Sequence, residues 1–207
     1  MGLSRGGLLL DAWYSEADRQ YIRQNYILLT ELADRSGYSG EDIKKEIADG
    51  NLPQAPYSIN GEPWVAADYV TLREEAQEQN VAVQQVFGTR YLRARKAWDG
   101  KTPDAKEIED EWQGYLGGDY GICLRKVTPE NIVAKGHFIA VIHELIRNPR
   151  LNDSVWQEEL RQSVAKLDAL ERPFAVGDYL RFDALSSRAL YIEAPKALFP
   201  EVFIVGL

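Results

Sequence analysis

The longest run of helical periodicity lies between Thr128 and Arg147. Thr128-Pro129-Glu130 supplies an N-cap, a proline suited to the first helical position and an acid for the positive helix end. Pro149 stops the pattern. At about 100° per residue, Ile132, Gly136, Ile139 and Ile146 share one side, and Phe138, Ile142 and Leu145 fill the next. From Phe138 onward the pattern is apolar almost all round, which predicts a helix buried in a core with His143 among apolar neighbours. Glu130, His137 and Glu144 form the remaining polar stripe, seven residues apart. Asn152-Asp153 caps a second helix with Trp156, Leu160, Val164 and Leu167 on one face, predicted to fold back antiparallel on the first.

Upstream the periods are shorter. Ser15 and Asp18 cap a helix carrying Tyr21, Ile22 and Tyr26. Thr30 opens a short helix with Leu32 and Ala33 inward, and Gly37 permits a turn. A further helix carries Ile43 and Ile47 and closes at Gly50. Tyr57 to Val65 reads as a hairpin about Asn60-Gly61. One or two helices follow to Trp98, then a turn at Asp99-Gly100-Lys101 that divides 1–98 from 99–207. Thr102-Pro103 starts a helix with Ile108, Trp112, Tyr115 and Leu116 at core spacing, and Gly117-Gly118 ends it. Cys123 falls in a short strand-like run, where a lone thiol between Ile122 and Leu124 reads as a small buried hydrophobe. The stretch after Glu171 lacks periodicity and is predicted to be an irregular, aromatic-rich cover. The expected fold is mainly α: a small N-terminal unit with a β-hairpin, packed on a C-terminal helical bundle.

Helix, tight turn, helix and hairpin is the order of a winged helix. At Leu32-Ala33, Gly37-Tyr38-Ser39, Ile43, Ile47, Gly50 to Pro53, Asn60-Gly61 and Trp64-Val65 the chain resembles the MerR and excisionase-type DNA-binding modules. Charge separates that shape from that function. Ser15 to Glu75 holds 12 acidic and 6 basic residues, and no Lys or Arg stands between Lys45 and Arg73. Non-specific DNA affinity comes mostly from neutralised phosphates, so DNA is not expected as a partner.

The whole 207-residue chain carries a net charge of −8, which also argues against general polyanion binding. One cysteine excludes an internal disulfide and fits a reducing compartment. No apolar run is long enough to span a membrane, and Gly7 to Leu10 is too short for a signal core. MGLSRG lacks the Ser or Thr expected for myristoylation. A cytoplasmic protein without membrane contact is expected, with homodimerisation as the assembly to test.

Candidate chemistry is sparse. His143 is the expected general base or acid, with His137, Glu144 and Tyr120 as further catalytic candidates. Arg125, Asp178, Arg181, Arg188 and Tyr191 are the candidates for holding a substrate, the arginines as anion anchors. Two histidines on different faces and one cysteine make a poor ligand set, so no metal is expected, and no cofactor motif is present. A cluster at Arg90, Arg93, Arg95 and Lys96 either pairs with the acidic run near Glu107 or forms a local anion site.

Several segments together, ELADRSGYSGEDIKKEI, WVAADY, YLGGDYGICLRKVTPENIV and LDALERPFAVGDYLRF, are similar to a bacterial family of domain-of-unknown-function proteins carried as natural-product biosynthesis proteins. That resemblance implies a context, bacterial specialised metabolism, and no reaction. The expected function is an enzyme or small-molecule-handling protein with its pocket between the central helix and the C-terminal tail. The alternatives are a winged-helix transcriptional regulator and a non-catalytic partner protein with an acidic docking face.

Overall fold

The computed structural model describes residues 13–179 and 186–204. The described chain is mainly helical, with one small antiparallel sheet. Helix α1 (Glu16–Asn25) runs directly into strand β1 (Tyr26–Leu28), which runs directly into α2 (Leu29–Arg35). Helix α3 (Ile43–Ala48) follows, then β2 (Tyr57–Ile59) and β3 (Glu62–Ala66). Helices α4 (Asp68–Gln79), α5 (Val83–Asp99), α6 (Ala105–Leu116) and α7 (Asp119–Cys123) lead to the central α8 (Pro129–Arg147) and its partner α9 (Ser154–Leu170). The C-terminal stretch holds α10 (Val176–Tyr179), a π-helical turn (Ala189–Glu193), α11 (Ala194–Leu198) and α12 (Pro200–Phe203).

The expected hairpin forms. Asn60 and Gly61 both take positive φ, 54° and 82°, the two-residue turn whose twist matches its strands. Because Gly61 sits in left-handed space with nothing within 4 Å of where a Cβ would stand, Gly61→Ala should cost about 1–2 kcal/mol through backbone strain alone. Urea denaturation measures it, and a cost near zero would mean the turn changes type. The hairpin is not alone: β3 lies between β2 and β1, with Tyr26 opposite Ala66 and Leu28 opposite Trp64. Tyr26 was expected on a helix. Its amide instead donates to Ile22 as the C-cap of α1 in an extended conformation, which releases the next residues to pair with β3.

The sheet is covered on both faces, because alternate residues of a strand point to opposite sides. Ile27 and Val65 join the main core with Phe87, Trp112, Tyr115 and Leu124. Tyr26, Tyr57 and Ile59 join a second cluster with Tyr14, Ile22, Ile122 and Ala175. The main core draws on residues from Ile27 to Val133 and so includes both sides of the Asp99-Gly100 turn. A third cluster holds the distal part of α8, all of α9 and the C-terminal helices, with Trp156, Leu160, Val164, Ile192 and Val202 fully enclosed.

Caps set two of the long helices where the pattern placed them: Thr128 accepts from the Asn131 amide, and Asp153 from Val155 and Trp156. The helix expected to start at Thr102-Pro103 is instead capped by Asp104, which accepts from Glu107. Helices α8 and α9 are antiparallel, as expected: Trp156 Nε1 donates to the Leu145 carbonyl at one end, and Lys135 meets Glu171 at the other. Two expectations are corrected. Helix α8 is not apolar all round. Its covered face is Ile132, Val133, Phe138, Ile142 and Leu145, whereas Gly136, Ala140, His143 and Glu144 are exposed. The C-terminal stretch is not an irregular cover either. Its described part is a string of short helical turns docked on α9 through Ile192 and Val202, with Phe199 edge-on to Trp156.

Candidate functional site

The residues expected to form a site are dispersed. His143 is exposed on α8, its ring centre 6.4 Å from that of Tyr191, so the buried imidazole anticipated from the helical wheel is not found. The covering elements lie against the other side of α8, and solvent takes the sector that holds His143. His137 packs 4.4 Å from Trp98, ring to ring, and this burial lowers its pKa below the ordinary imidazole value. Glu144 is exposed and accepts from Asn148 at the helix end. The third member of that stripe, Glu130, is ion-paired: Arg90 grips it with two donors at 2.8 Å each. Arg95 meets Asp99 and Glu107, so part of the basic cluster does pair with the acidic run after it.

Tyr120 donates to Glu111, packs over Gly114, and is pushed up by burial and that carboxylate. Arg125 is exposed, its amide bonded to the Leu170 carbonyl. Arg188 lies 2.7 Å from Asp168 and 3.5 Å from Glu193, with Tyr191 half-buried against the third cluster. Arg181 lies outside the described residues. Asp178 is fully buried and accepts from the Ala175 amide and the Tyr14 hydroxyl, which makes it a clamp on the chain. Among the described candidates, His143 and Tyr191 come into ring contact.

Two other constellations are built instead. The first is a polar seam at an isolated antiparallel bridge between Leu124 and Glu171, flanked by Arg125 to Leu170 and Arg172 to Cys123 backbone bonds. Successive residues there face opposite ways. Glu171 turns to Lys135 Nζ at 3.2 Å and to the Ser187 hydroxyl at 2.5 Å. Lys135 Nζ also lies 2.9 Å from Cys123 Sγ. Arg172 turns to the aromatic cluster: it donates to Tyr57 at 2.9 Å, lies 3.5 Å from Asp178 and 3.6 Å from Asp18, and stacks 4.6 Å over the Tyr21 ring. Burial alone would depress the Arg172 and Lys135 cations. The surrounding acidic groups outweigh it, and both are held above their ordinary values.

The second is a cleft of about 370 Å³ where the N-terminal unit meets α4, α5 and α6. Tyr69 and Trp112, both almost fully buried, form its floor, with Tyr38, Asn51, Arg73 and Gln113 around it. Tyr69 donates to the Asn51 carbonyl at 2.6 Å, and burial pushes its hydroxyl up to about 12. Arg73 donates through Nη2 to the Ser36 carbonyl at 3.0 Å and lies 5.0 Å over the Tyr38 ring. Its Nε is buried without a hydrogen-bond partner among the described residues. The ionisable groups lining the cleft are Arg73, Asp49 and the two tyrosines, and Asp49 lies 3.2 Å from Lys45. This set can hold a ligand. Its volume is within the range of small-molecule sites.

Neither constellation was anticipated as a site. Lys135 within the apolar stretch of α8 was a signal, since a lysine there needs a buried partner. Arg73 carried none, because its neighbours Glu74 and Glu75 read as a solvated face. Among the described residues no group of three or more His, Cys, Asp and Glu side chains is placed to hold a metal ion, and no helix is long and apolar enough to cross a membrane.

No curated protein and no solved structure matches the chain. A family model, described as a family of unknown function, matches residues 64–199, from β3 to the segment after α11. The match includes Arg73, Trp112, Cys123, Lys135 and Glu171. With more than half of its length matched, the chain belongs to this family of unknown function, DUF6058.

Proposed function

We propose that the protein handles a small molecule, and that its ligand occupies the cleft over Tyr69 and Trp112. One observation carries this reading: Arg73 is the cation among the residues that line an aromatic-walled cavity of ligand size. A carboxylate offers a planar pair of acceptors to a guanidinium, and a flat ring fits between aromatic walls. The ligand class is therefore an aromatic or other planar carboxylate. The resemblance to proteins of bacterial specialised metabolism supports such a context, where planar acids are common cargo or substrate.

Thermal unfolding against a panel of benzoate, 4-hydroxybenzoate and indole-3-carboxylate tests this. A ligand at a hundred times its Kd adds about 2.7 kcal/mol. For a chain of this size that is a rise of about 5–10 °C in Tm. Arg73→Gln should abolish the rise. A panel that leaves the wild-type Tm unmoved, or a rise that survives Arg73→Gln, would sink the proposal.

A second reading keeps one observation in its favour. Strand, two short helices and a two-stranded wing in the order β1, α2, α3, β2, β3, with β1 pairing on β3, supports a winged-helix unit and hence a regulator. Lys44 and Lys45 are exposed on α3, but Glu41 and Asp42 are exposed just before it. Titration with random duplex DNA at low salt separates the readings, because electrostatic binding is strongest there. Tight, salt-sensitive binding would favour the regulator.

A further inference from the structure

Cys123 is the protein's single cysteine, and it does not stand alone. Its Sγ lies 2.9 Å from Lys135 Nζ, the usual separation of an N–H···O bond although sulfur is the larger atom. Lys135 is held there from two sides, by the thiol and by Glu171 at 3.2 Å. Glu171 is fully buried, and its second oxygen, Oε2, has no hydrogen-bond partner among the described residues. The site is therefore a sulfur nucleophile, an amine in contact with it, and a carboxylate with one open oxygen beside the amine. Cys123 retains 8% of its surface and the Lys135 side chain 13%.

A single cysteine sets what oxidation can lead to. A sulfenic acid is normally rescued by condensation with a second thiol or with a nitrogen. This chain has no second thiol, and the nitrogen is already in place. We propose that Cys123 and Lys135 are a redox modification site, at which peroxide drives a reversible covalent link between Sγ and Nζ. The sulfur attacks one oxygen of hydrogen peroxide, the O–O bond breaks, and sulfenic acid and one water form. Lys135 then passes a proton to Glu171, its free amine attacks the sulfur, and the S–O bond breaks. Glu171 returns the proton to the departing hydroxide, giving a second water, and the nitrogen of the S–N link releases one of its two protons to solvent and keeps the other. One peroxide is reduced, the thiol and amine lose two hydrogens between them, and a thiol reductant reverses the change.

Before oxidation, burial holds the Cys123 thiol above its ordinary value, and Lys135 offsets only part of this. The reaction is accordingly that of a slow sensor, in contrast to a peroxidase, whose thiolate is preformed.

The test uses the full chain, treated with excess hydrogen peroxide and analysed without reductant. The expected product is lighter than the starting protein by two hydrogens. Trypsin no longer cuts after Lys135, one peptide contains both residues, and dithiothreitol restores the original mass. Lys135→Arg keeps the cation and removes the reactive amine, so the link is lost and Cys123 gains oxygen in its place. Wild-type protein that gains oxygens at Cys123 without linking to Lys135, or that stays reduced throughout, overturns the proposal. These readouts on the wild-type chain stand whether or not the variant folds well.

Discussion

Arg172→Met is expected to cost about 3 kcal/mol of folding stability, measured by urea denaturation. The guanidinium is 4% exposed and is the cation beside the fully buried Asp178. It also holds the Tyr57 hydroxyl and lies over two tyrosine rings, those of Tyr21 and Tyr57. Removing one partner of a buried pair leaves the other charge uncompensated, typically a loss of about 3–5 kcal/mol. The lower figure applies here because Asp178 keeps two further hydrogen bonds, from Ala175 and Tyr14. Arg172→Lys should recover little. A lysine is a point charge and cannot reach tyrosine and carboxylate while stacking on a ring. A loss below about 0.5 kcal/mol for the methionine variant, the range of ordinary surface changes, would mean that the network adds shape without stability.

Trp156→Ala should cost more, about 3–5 kcal/mol, by the cavity it opens in a site that cannot collapse. Trp156 is fully buried between α8 and α9, its indole donates to the Leu145 carbonyl, and Phe199 meets it edge-on. The effect has a location as well as a size. Phe199 and Val202 belong to the C-terminal helices, which dock on this cluster. Loss of Trp156 should therefore raise hydrogen exchange in α11 and α12 before the sheet is affected. Uniform exchange across both regions would show that the clusters unfold together.

Much of the scaffold could be read from short-range rules. Thr128 and Asp153 cap helices because a side-chain oxygen reaches a free amide two or three residues on, which needs no tertiary information. Asn60-Gly61 turns a hairpin for an equally local reason. Strand β1 escaped because three residues between two helices carry no period, and only β3, some forty residues later, defines them. His143 escaped because a helical wheel gives angles and does not say which neighbour covers which sector. The seam at Glu171 escaped for the same cause. Glu171 and Lys135 are far apart in sequence, and each looks like one more surface charge until the Leu124 bridge brings them together. The cleft at Arg73 depends on three helices and a loop meeting, and no run of residues announces it.

The aromatic cluster has a consequence for how the protein is made. Tyr26, Tyr57 and Ile59 belong to the N-terminal sheet, yet their cover is Ile122 and Ala175, and the Tyr57 hydroxyl is met by Arg172, 115 residues further along the chain. At a translation rate of about 5–20 residues per second, a ribosome needs roughly 6–23 s to deliver that residue after Tyr57. Through that interval one face of the newborn sheet has only Tyr14 and Ile22 of its cover. It is then a surface for a chaperone or a wrong partner, and chains stalled before Arg172 should be cut readily by protease in this region while chains released in full are not.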